Sequence, residues 1–294
     1  MTDGKLRIAV VGPGAVGGTV AAWLAQRADI DVLVCARTPF TDLEIDTPGG
    51  RIGATPRIAT RPDDLTPVDW AIVATKTYDT ASTLTWLEGL VGPETRVAIL
   101  RNGVEHLAPF ADRVPVDRLV PAVVDIPAER RAPGRILQRR DGWIKIRDGE
   151  AGAAFAALFA HTPIRAETTP DFRSEAWKKL ALNCAGAVNA LILKPSEIAH
   201  HEGAASVMRA LVAECVAVGR AEGAVLPDDL PDQVIAGYRA AAPDGINSLH
   251  ADRAAGRPME LDARNGVIVR LGARYGVPTP ANALIVALLT AAAL

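Results

Sequence analysis

Cysteine is scarce in this chain, and its few thiols are not arranged for bonding or metal binding. The three cysteines, Cys35, Cys184 and Cys215, stand alone, with no CxxC pair and no Cys or His cluster at zinc-ligand spacing. The sequence therefore predicts neither a disulfide framework nor a metal site. Sparse, unpaired thiols are typical of proteins of the reducing cytoplasm.

Long apolar segments and an excess of one charge are also absent. The 294 residues carry 32 Lys and Arg against 34 Asp and Glu, and this near-balance argues against a nucleic-acid partner. The apolar run before Gly12 is too short for a signal peptide, and the apolar tail at 281–294 is too short for a membrane span. We expect a cytoplasmic protein whose tail packs on its own core or on a second copy, so a homodimer and a monomer both stay open.

The first half of the chain alternates apolar runs with helical patterns. Short runs rich in β-branched residues occur at 6–11, 31–36, 71–74 and 96–100, and a helical pattern at 18–27 follows the first of them. This alternation predicts βαβ units around a parallel sheet, that is, a doubly wound Rossmann α/β domain. Further on, 135–138 and 143–146 flank Asp141 and Gly142, which predicts an antiparallel hairpin extending the same sheet.

The second half is different in character. From Ser174 onward, helical patterns predominate at 174–193, 203–222, 245–255 and 258–275. We therefore predict two domains, a Rossmann domain at 1–167 and an all-helical domain at 168–294.

A glycine-rich turn follows the first predicted strand and opens the first predicted helix. Gly12 would allow the tight turn, Gly14 would let the backbone approach a pyrophosphate, and Gly17 would let helix and strand pack closely. The phosphates would then meet free N–H groups at the positive end of the helix dipole. A plain strand-to-helix turn is the alternative. The predicted cofactor-binding residues of this turn are Gly12, Pro13, Gly14, Ala15, Val16 and Gly17.

The residue 20 positions after Gly17 indicates which dinucleotide is bound. A ribose 2′-hydroxyl requires Asp or Glu at the end of the second strand, whereas this chain has Arg37 there. Arginine pairs bidentately with a 2′-phosphate, so we predict NADP(H) rather than NAD(H). In the alternative, Arg37 is a solvated charge and Asp42 or Glu44 binds the ribose.

Two groups of polar residues are conspicuous in the helical half. Lys179 and Asn183 are four residues apart on one face of an otherwise apolar helix, where a lysine can act as a general acid. The alternative is a surface lysine whose stem packs on apolar neighbours. In the second group Ser248 and Asp252 have the same spacing, and Pro258 as first helical residue places Glu260 in the first turn. The alternatives are a cap for Ser248, a structural acceptor for Asp252 and a helix-start charge for Glu260.

The ordered motifs resemble the ketopantoate reductase (2-dehydropantoate 2-reductase) family over nearly the whole chain, from Arg7 to Thr279. After the glycine turn come Lys76 in ATKTY, Asn102-Gly103, the WKKLALN block at 177–183, and the segment from Ser248 to Asp262. The resemblance implies an N-terminal Rossmann domain that binds NADPH and a helical domain that closes over the substrate. It also implies an enzyme that needs no metal.

The resemblance further implies a role for each matched position. Lys179 would be the general acid that protonates the developing alkoxide, and Glu260 would assist it and contact the substrate. The reaction would reduce 2-dehydropantoate to pantoate, for pantothenate synthesis. The other matched positions are Asn183 and Ser248, which would hold the substrate, Asn102, at the border of nicotinamide and substrate, and Lys76, on the cofactor side.

Two positions depart from the family pattern. Ala187 stands one turn past Asn183, where the family often has asparagine, and Gly245 stands three residues before Ser248, where an asparagine can serve the substrate. The departures leave open a reductase of another bulky 2-oxo acid or an opine-type enzyme. A non-catalytic NADP(H)-binding sensor is the remaining alternative, although it would have no use for Lys179 and Glu260.

Overall fold

The computed structural model describes residues 4–293, and the chain divides into two compact units. Unit 1 comprises the chain up to Arg101 together with Glu105–Phe172, and unit 2 comprises Asn102–Val104 together with the chain from Arg173 onward. The first three residues of the N-terminal run and the last residue of the apolar tail lie outside the described residues.

Unit 1 is an α/β unit. Its strands and helices are β1 (Leu6–Val11), α1 (Ala15–Leu24), β2 (Ile30–Cys35), β3 (Leu43–Thr47), β4 (Gly50–Ala54), β5 (Arg57–Ala59), β6 (Trp70–Val73), α2 (Thr80–Leu90), β7 (Arg96–Leu100), β8 (Leu119–Asp125), β9 (Ala128–Ala132), β10 (Arg135–Gln138), β11 (Trp143–Arg147), α3 (Glu150–Ala157) and β12 (Arg165–Thr169).

The main sheet confirms the predicted doubly wound fold. Its strand order is β12-β11-β8-β7-β6-β1-β2-β5, and every pair is parallel except β8 with β11. Ile8 and Val10 of β1 belong to one apolar core, while the alternate residues Ala9 and Val11 belong to another. Because both faces of the sheet are covered, the strand has a continuous apolar run rather than an alternating one.

The predicted hairpin of 135–138 with 143–146 is wrong. β10 lies in a second sheet of order β4-β3-β10-β9, whereas β11 lies in the main sheet, antiparallel to β8. Ile136 of β10 is buried against α1, where a Cβ at Gly18 would clash with it. The Asp141-Gly142 segment therefore connects two sheets, and Gly142 packs so tightly on Ile126 that a Cβ would lie 2.7 Å from its Cγ1.

The second half of the chain is helical, as predicted. Its elements are α4 (Phe172–Ala185), α5 (Ala187–Ile192), α6 (Glu202–Ala221), α7 (Leu230–Ala240), α8 (Ser248–Ala254), a π-helical segment (Asp262–Gly266), α9 (Val267–Tyr275) and α10 (Pro280–Ala291).

The helices differ from the prediction in three places. The predicted helix at 174–193 is interrupted at Gly186, where a Cβ would lie 2.6 Å from the Tyr238 hydroxyl and 2.7 Å from Asn247 Nδ2. The predicted helix at 258–275 begins only at Leu261 and contains the π-helical segment. α7 was not predicted at all.

The apolar tail packs on the core of unit 2 as α10, as one of the two alternatives proposed. Ile285 and Leu289 are buried, and Glu214 of α6 accepts hydrogen bonds from the backbone N–H groups of Ala281 and Asn282. The Asn282 side chain links α10 onward to Asn265 at 2.9 Å. Between residues 4 and 293, no helix has the length and apolar character needed to cross a membrane.

We expect His250 on α8 to make the stability of unit 2 depend on pH. Burial lowers the pKa of its imidazole, Arg253 acts in the same direction, and the backbone at Lys194 opposes them. Since the unfolded chain then binds the proton more readily, the stabilisation is complete above about pH 6.5 and is lost as the pH falls through the folded-state pKa. We expect His250→Gln to reduce the fall in Tm between about pH 7.5 and about pH 5.

Thermal melts of both proteins at each pH would measure this effect. His200→Gln is the matched control, because His200 is exposed. If the Tm of His250→Gln falls with pH as much as that of the parent protein, another group causes the loss of stability at acid pH.

Candidate active site

The glycine turn after β1 has the geometry that a dinucleotide requires. Gly12 has a φ of +91°, and a Cβ there would lie 2.6 Å from Thr75 Cγ2. A Cβ at Gly17 would collide with the carbonyl oxygen of Gly12. At Gly14, by contrast, no heavy atom of residues 4–293 beyond its chain neighbours and its own helix backbone lies within 4 Å of such a Cβ, so the backbone is open to an approaching ligand. The residues present therefore fit a pyrophosphate at the start of α1.

Arg37 lies just beyond the end of β2, as predicted, and its side chain is 72% exposed. Its guanidinium binds both carboxylate oxygens of Asp79, with Nη1 and Nη2 each 3.1 Å from an oxygen. Asp79 ends the short 3₁₀ turn Thr77–Asp79, which begins directly after Lys76. The structure thus orients the Arg37 guanidinium within unit 1 by a bidentate ion pair.

The alternative ribose ligands Asp42 and Glu44 already have partners. Asp42 pairs with Arg135 at 3.0 Å, and hydrogen bonds from Thr41 and Arg135 lower the pKa of its carboxyl group. Glu44 is on β3 of the second sheet and pairs with Arg51 at 2.5 Å. All three residues considered for the ribose are thus held in ion pairs, Arg37 by Asp79 and the two carboxylates by arginines.

The sequence prediction missed Arg101, which follows β7 and is 6% exposed. Its guanidinium donates to the hydroxyl groups of Thr75, Thr80 and Thr83, at 2.5, 2.9 and 3.0 Å. Thr83 in turn donates to the backbone carbonyl of Asp79 at 2.9 Å. Arg101 therefore fixes the segment after β6 that carries Lys76 and the partner of Arg37.

In unit 2, three predicted site residues form a connected polar cluster. Asn183 of α4 donates through Nδ2 to Asn102 Oδ1 at 3.3 Å, and Asn102 donates through Nδ2 to Glu260 Oε2 at 3.0 Å. The cluster joins residues that are far apart in sequence, since Asn102 comes from the short segment Asn102–Val104. Gly103 permits the approach, because it has a φ of +96° and a Cβ would lie 2.9 Å from the carbonyl oxygen of Ala263.

The two residues predicted to be catalytic lie in this unit. Lys179 is half-buried on α4, one turn before Asn183, whereas its neighbour Lys178 is exposed and binds Glu175 at 3.0 Å. Glu260 is 4% exposed and precedes the helix that begins at Leu261. Its predicted place in a first helical turn is therefore wrong, because Pro258 lies before the helix, in a segment without regular secondary structure.

Ser248 is the first residue of α8, but it is not the cap. The side chain of Asn247 accepts from the backbone N–H groups of Leu249 and His250, while the Ser248 hydroxyl accepts from Arg264 Nη2 at 2.6 Å. Arg264 lies in the π-helical segment, and the sequence prediction missed it because an arginine in a helical pattern resembles a surface residue.

Asp252 is a buried hydrogen-bond acceptor in unit 2. It is 7% exposed and accepts a 3.0 Å hydrogen bond from Arg257 Nε. Within residues 4–293, no group of three or more His, Cys, Asp or Glu side chains is arranged to hold a metal ion.

Unit 1 is a doubly wound sheet with a glycine turn after its first strand, and unit 2 is helical and carries a cluster of amide and carboxylate side chains. Together these features define an NAD(P)-dependent oxidoreductase of the Rossmann type. Two family models match the chain, "Ketopantoate reductase PanE/ApbA" at residues 8–151 and its C-terminal counterpart at residues 171–293. The chain belongs to the ketopantoate reductase family.

Individual relatives align with this chain over almost their whole lengths. The 2-dehydropantoate 2-reductase of Caulobacter vibrioides is 74% identical over 287 residues, covering 98% of this chain and 99% of the relative. The 2-dehydropantoate 2-reductase of Mycobacterium tuberculosis is 39% identical, with 97% of both chains covered. The crystal structure of the Geobacter metallireducens 2-dehydropantoate 2-reductase superposes with a TM-score of 0.92 at 26% identity, covering 98% of this chain and all of that one.

Proposed function

We propose that this chain catalyses the NADPH-dependent reduction of 2-dehydropantoate to pantoate. The observation that carries the proposal is the connected cluster of Asn183, Asn102 and Glu260, in which Asn183 lies one turn after Lys179 on α4. The 74% identity to a 2-dehydropantoate 2-reductase supports the choice of substrate. We further propose that the enzyme works in the cytoplasm, whereas a homodimer stays a prediction of the sequence.

Unit 1 would bind the dinucleotide, and a Rossmann domain at 1–167 with a helical domain at 168–294 remains our proposed division of the chain. The backbone of the glycine turn would hold the pyrophosphate, Arg37 would bind the ribose 2′-phosphate, and Lys76 would contact the cofactor in the segment fixed by Arg101. When bound, NADPH supplies the hydride that reduces the 2-oxo carbon.

Unit 2 would supply the proton and hold the substrate. The ammonium group of Lys179 would stabilise the negative charge that develops on the substrate oxygen, and it would then donate its proton to that oxygen. Glu260 would orient the substrate and the ammonium group from a buried position. Asn102 and Asn183 would hold the substrate with their amides, and Ser248 would bind it with its hydroxyl group.

Glu260→Gln tests the part assigned to the carboxylate. The substitution removes the charge but keeps an oxygen that can accept from Asn102, so the cluster can still form. We expect kcat to fall by about tenfold to a hundredfold, while Tm stays within a few degrees of the parent value. Steady-state kinetics and a thermal melt measure the two quantities. Loss of the cooperative melt would make Glu260 a structural residue instead.

The proposed function itself is tested by comparing substrates. Initial rates would be measured with NADPH and with NADH, for 2-dehydropantoate and for several other bulky 2-oxo acids. We expect the highest kcat/KM for 2-dehydropantoate with NADPH. A higher value for another 2-oxo acid would transfer the assignment to that substrate, and a lack of turnover with all of them would favour an NADP(H)-binding sensor.

A further inference from the structure

Arg264 is a buried cation without an anionic partner among residues 4–293. Its residue is 3% exposed, and no carboxylate of the described chain lies within salt-bridge distance of its guanidinium. Its Nη2 donates to Ser248 Oγ, whereas Nε and Nη1 are buried and have no hydrogen-bond partner. Of the five N–H groups of the guanidinium, several are thus left unsatisfied.

Such an arrangement is costly for a protein that binds nothing there. A buried charge is ordinarily paired, because removing it from water costs several kcal/mol that only a counter-charge or a full set of hydrogen bonds recovers. Two less buried arginines of unit 2 do have partners: Arg257 pairs with Asp252, and Arg253 donates to the backbone carbonyls of Ala190 and Leu191. Arg264 is the exception, and an anionic ligand would supply the missing charge.

The hydrogen bond to Ser248 connects the buried charge to an exposed residue. Ser248 is exposed at the start of α8, and its Oγ accepts from Arg264 at 2.6 Å. Because the serine oxygen accepts from the guanidinium, its own hydroxyl hydrogen is available to donate to a ligand. The positive charge directly behind the hydroxyl strengthens such a donation toward an anion.

The local backbone is also unusual at this position. The segment Asp262–Gly266 is π-helical, and both Arg264 and Asn265 are buried within it. Single π-helical turns of this kind recur at functional sites.

We propose that Arg264 is a positioning residue that makes the enzyme select the carboxylate of its 2-oxo acid substrate, acting through the Ser248 hydroxyl. The inference rests on the proposed function and deepens it, since it assigns the recognition of the substrate's charge. It predicts a preference for 2-oxo acids over neutral 2-oxo compounds of the same carbon skeleton.

The test compares a charged substrate with an uncharged one. The full-length protein and Arg264→Gln would be assayed with 2-dehydropantoate and with its neutral lactone, at saturating NADPH. We expect the variant to lose about thirtyfold or more in kcat/KM for the acid, mainly through KM, and to change little with the lactone. Arg264→Lys keeps the charge and should recover part of the preference for the acid.

Arg253→Gln is the matched control, since it removes an arginine of the same unit whose guanidinium donates to the backbone carbonyls of Ala190 and Leu191. We expect it to leave the ratio of acid to lactone activity unchanged. An equal loss of both activities in Arg264→Gln, or an unchanged ratio, would overturn the inference while leaving the reductase assignment intact. If the parent protein reduces no 2-oxo acid, the proposed function fails instead.

Should Arg264→Gln fail to fold, Ser248→Ala provides the second test of the same link. The variant keeps the buried arginine and removes the hydroxyl through which it acts. We expect the same selective loss of activity on the acid, and a loss shared equally by the lactone would contradict the proposal.

Discussion

Replacing Lys179 by Ala is expected to lower kcat by about 10²-fold or more, the usual range for loss of a general acid. The reason is that Lys179 is the ammonium group that we assign to the site in unit 2, whereas the Arg264 guanidinium acts through Ser248. NADPH binding should persist, because the glycine turn, Arg37 and Lys76 belong to unit 1. Single-turnover and steady-state rates of NADPH oxidation measure the effect.

Lys178→Ala is the control for this variant. Lys178 is the next residue on α4, but it is exposed and bound to Glu175. We expect it to change kcat by less than about twofold, as surface ion pairs of this kind contribute little. Near-normal turnover in Lys179→Ala, or an equal loss in both variants, would remove the role assigned to Lys179.

The second large effect is expected from Arg37→Ala on cofactor preference. A bidentate arginine–phosphate pair is a strong charge-assisted interaction, so kcat/KM for NADPH should fall by at least about tenfold. The value for NADH should change little, since NADH lacks the 2′-phosphate. Initial rates with each cofactor at a fixed substrate concentration give the two values.

Arg57→Ala is the matched control for Arg37, because Arg57 is an exposed arginine of the same sheet that pairs with Asp31. We expect Arg57→Ala to leave the ratio of kcat/KM for NADPH to kcat/KM for NADH unchanged. If Arg37→Ala lowers kcat/KM equally for NADPH and for NADH, Arg37 does not bind the 2′-phosphate. Its ion pair with Asp79 would then be a structural contact only.

The parallel sheet was predictable because its strands are buried on both faces. Residues 6–11 form an apolar run bounded by the glycine turn, and this local pattern is sufficient to indicate a βαβ unit. The pairing of β10 was not predictable in the same way. Asp141-Gly142 is a local turn signal, whereas the partner of β10 is decided by the burial of Ile136 against α1, a contact between distant residues.

The candidate site likewise has residues that could be predicted from the sequence and residues that could not. The resemblance identified Asn102, Asn183 and Glu260, and the structure adds that two hydrogen bonds join them in unit 2. Arg264 could not be selected from the sequence, because a regular helical period does not indicate a π-helical segment and says nothing about burial of a single arginine. Arg101 was missed for a related reason, since its three threonine partners lie after a different strand.

The most direct test of the account is a reaction with the purified full-length chain, NADPH and 2-dehydropantoate, in which both NADPH oxidation and pantoate formation are followed. The account predicts one pantoate formed for each NADPH oxidised, and loss of this turnover in Lys179→Ala. Unchanged turnover in that variant, or no pantoate from the parent protein, would contradict it.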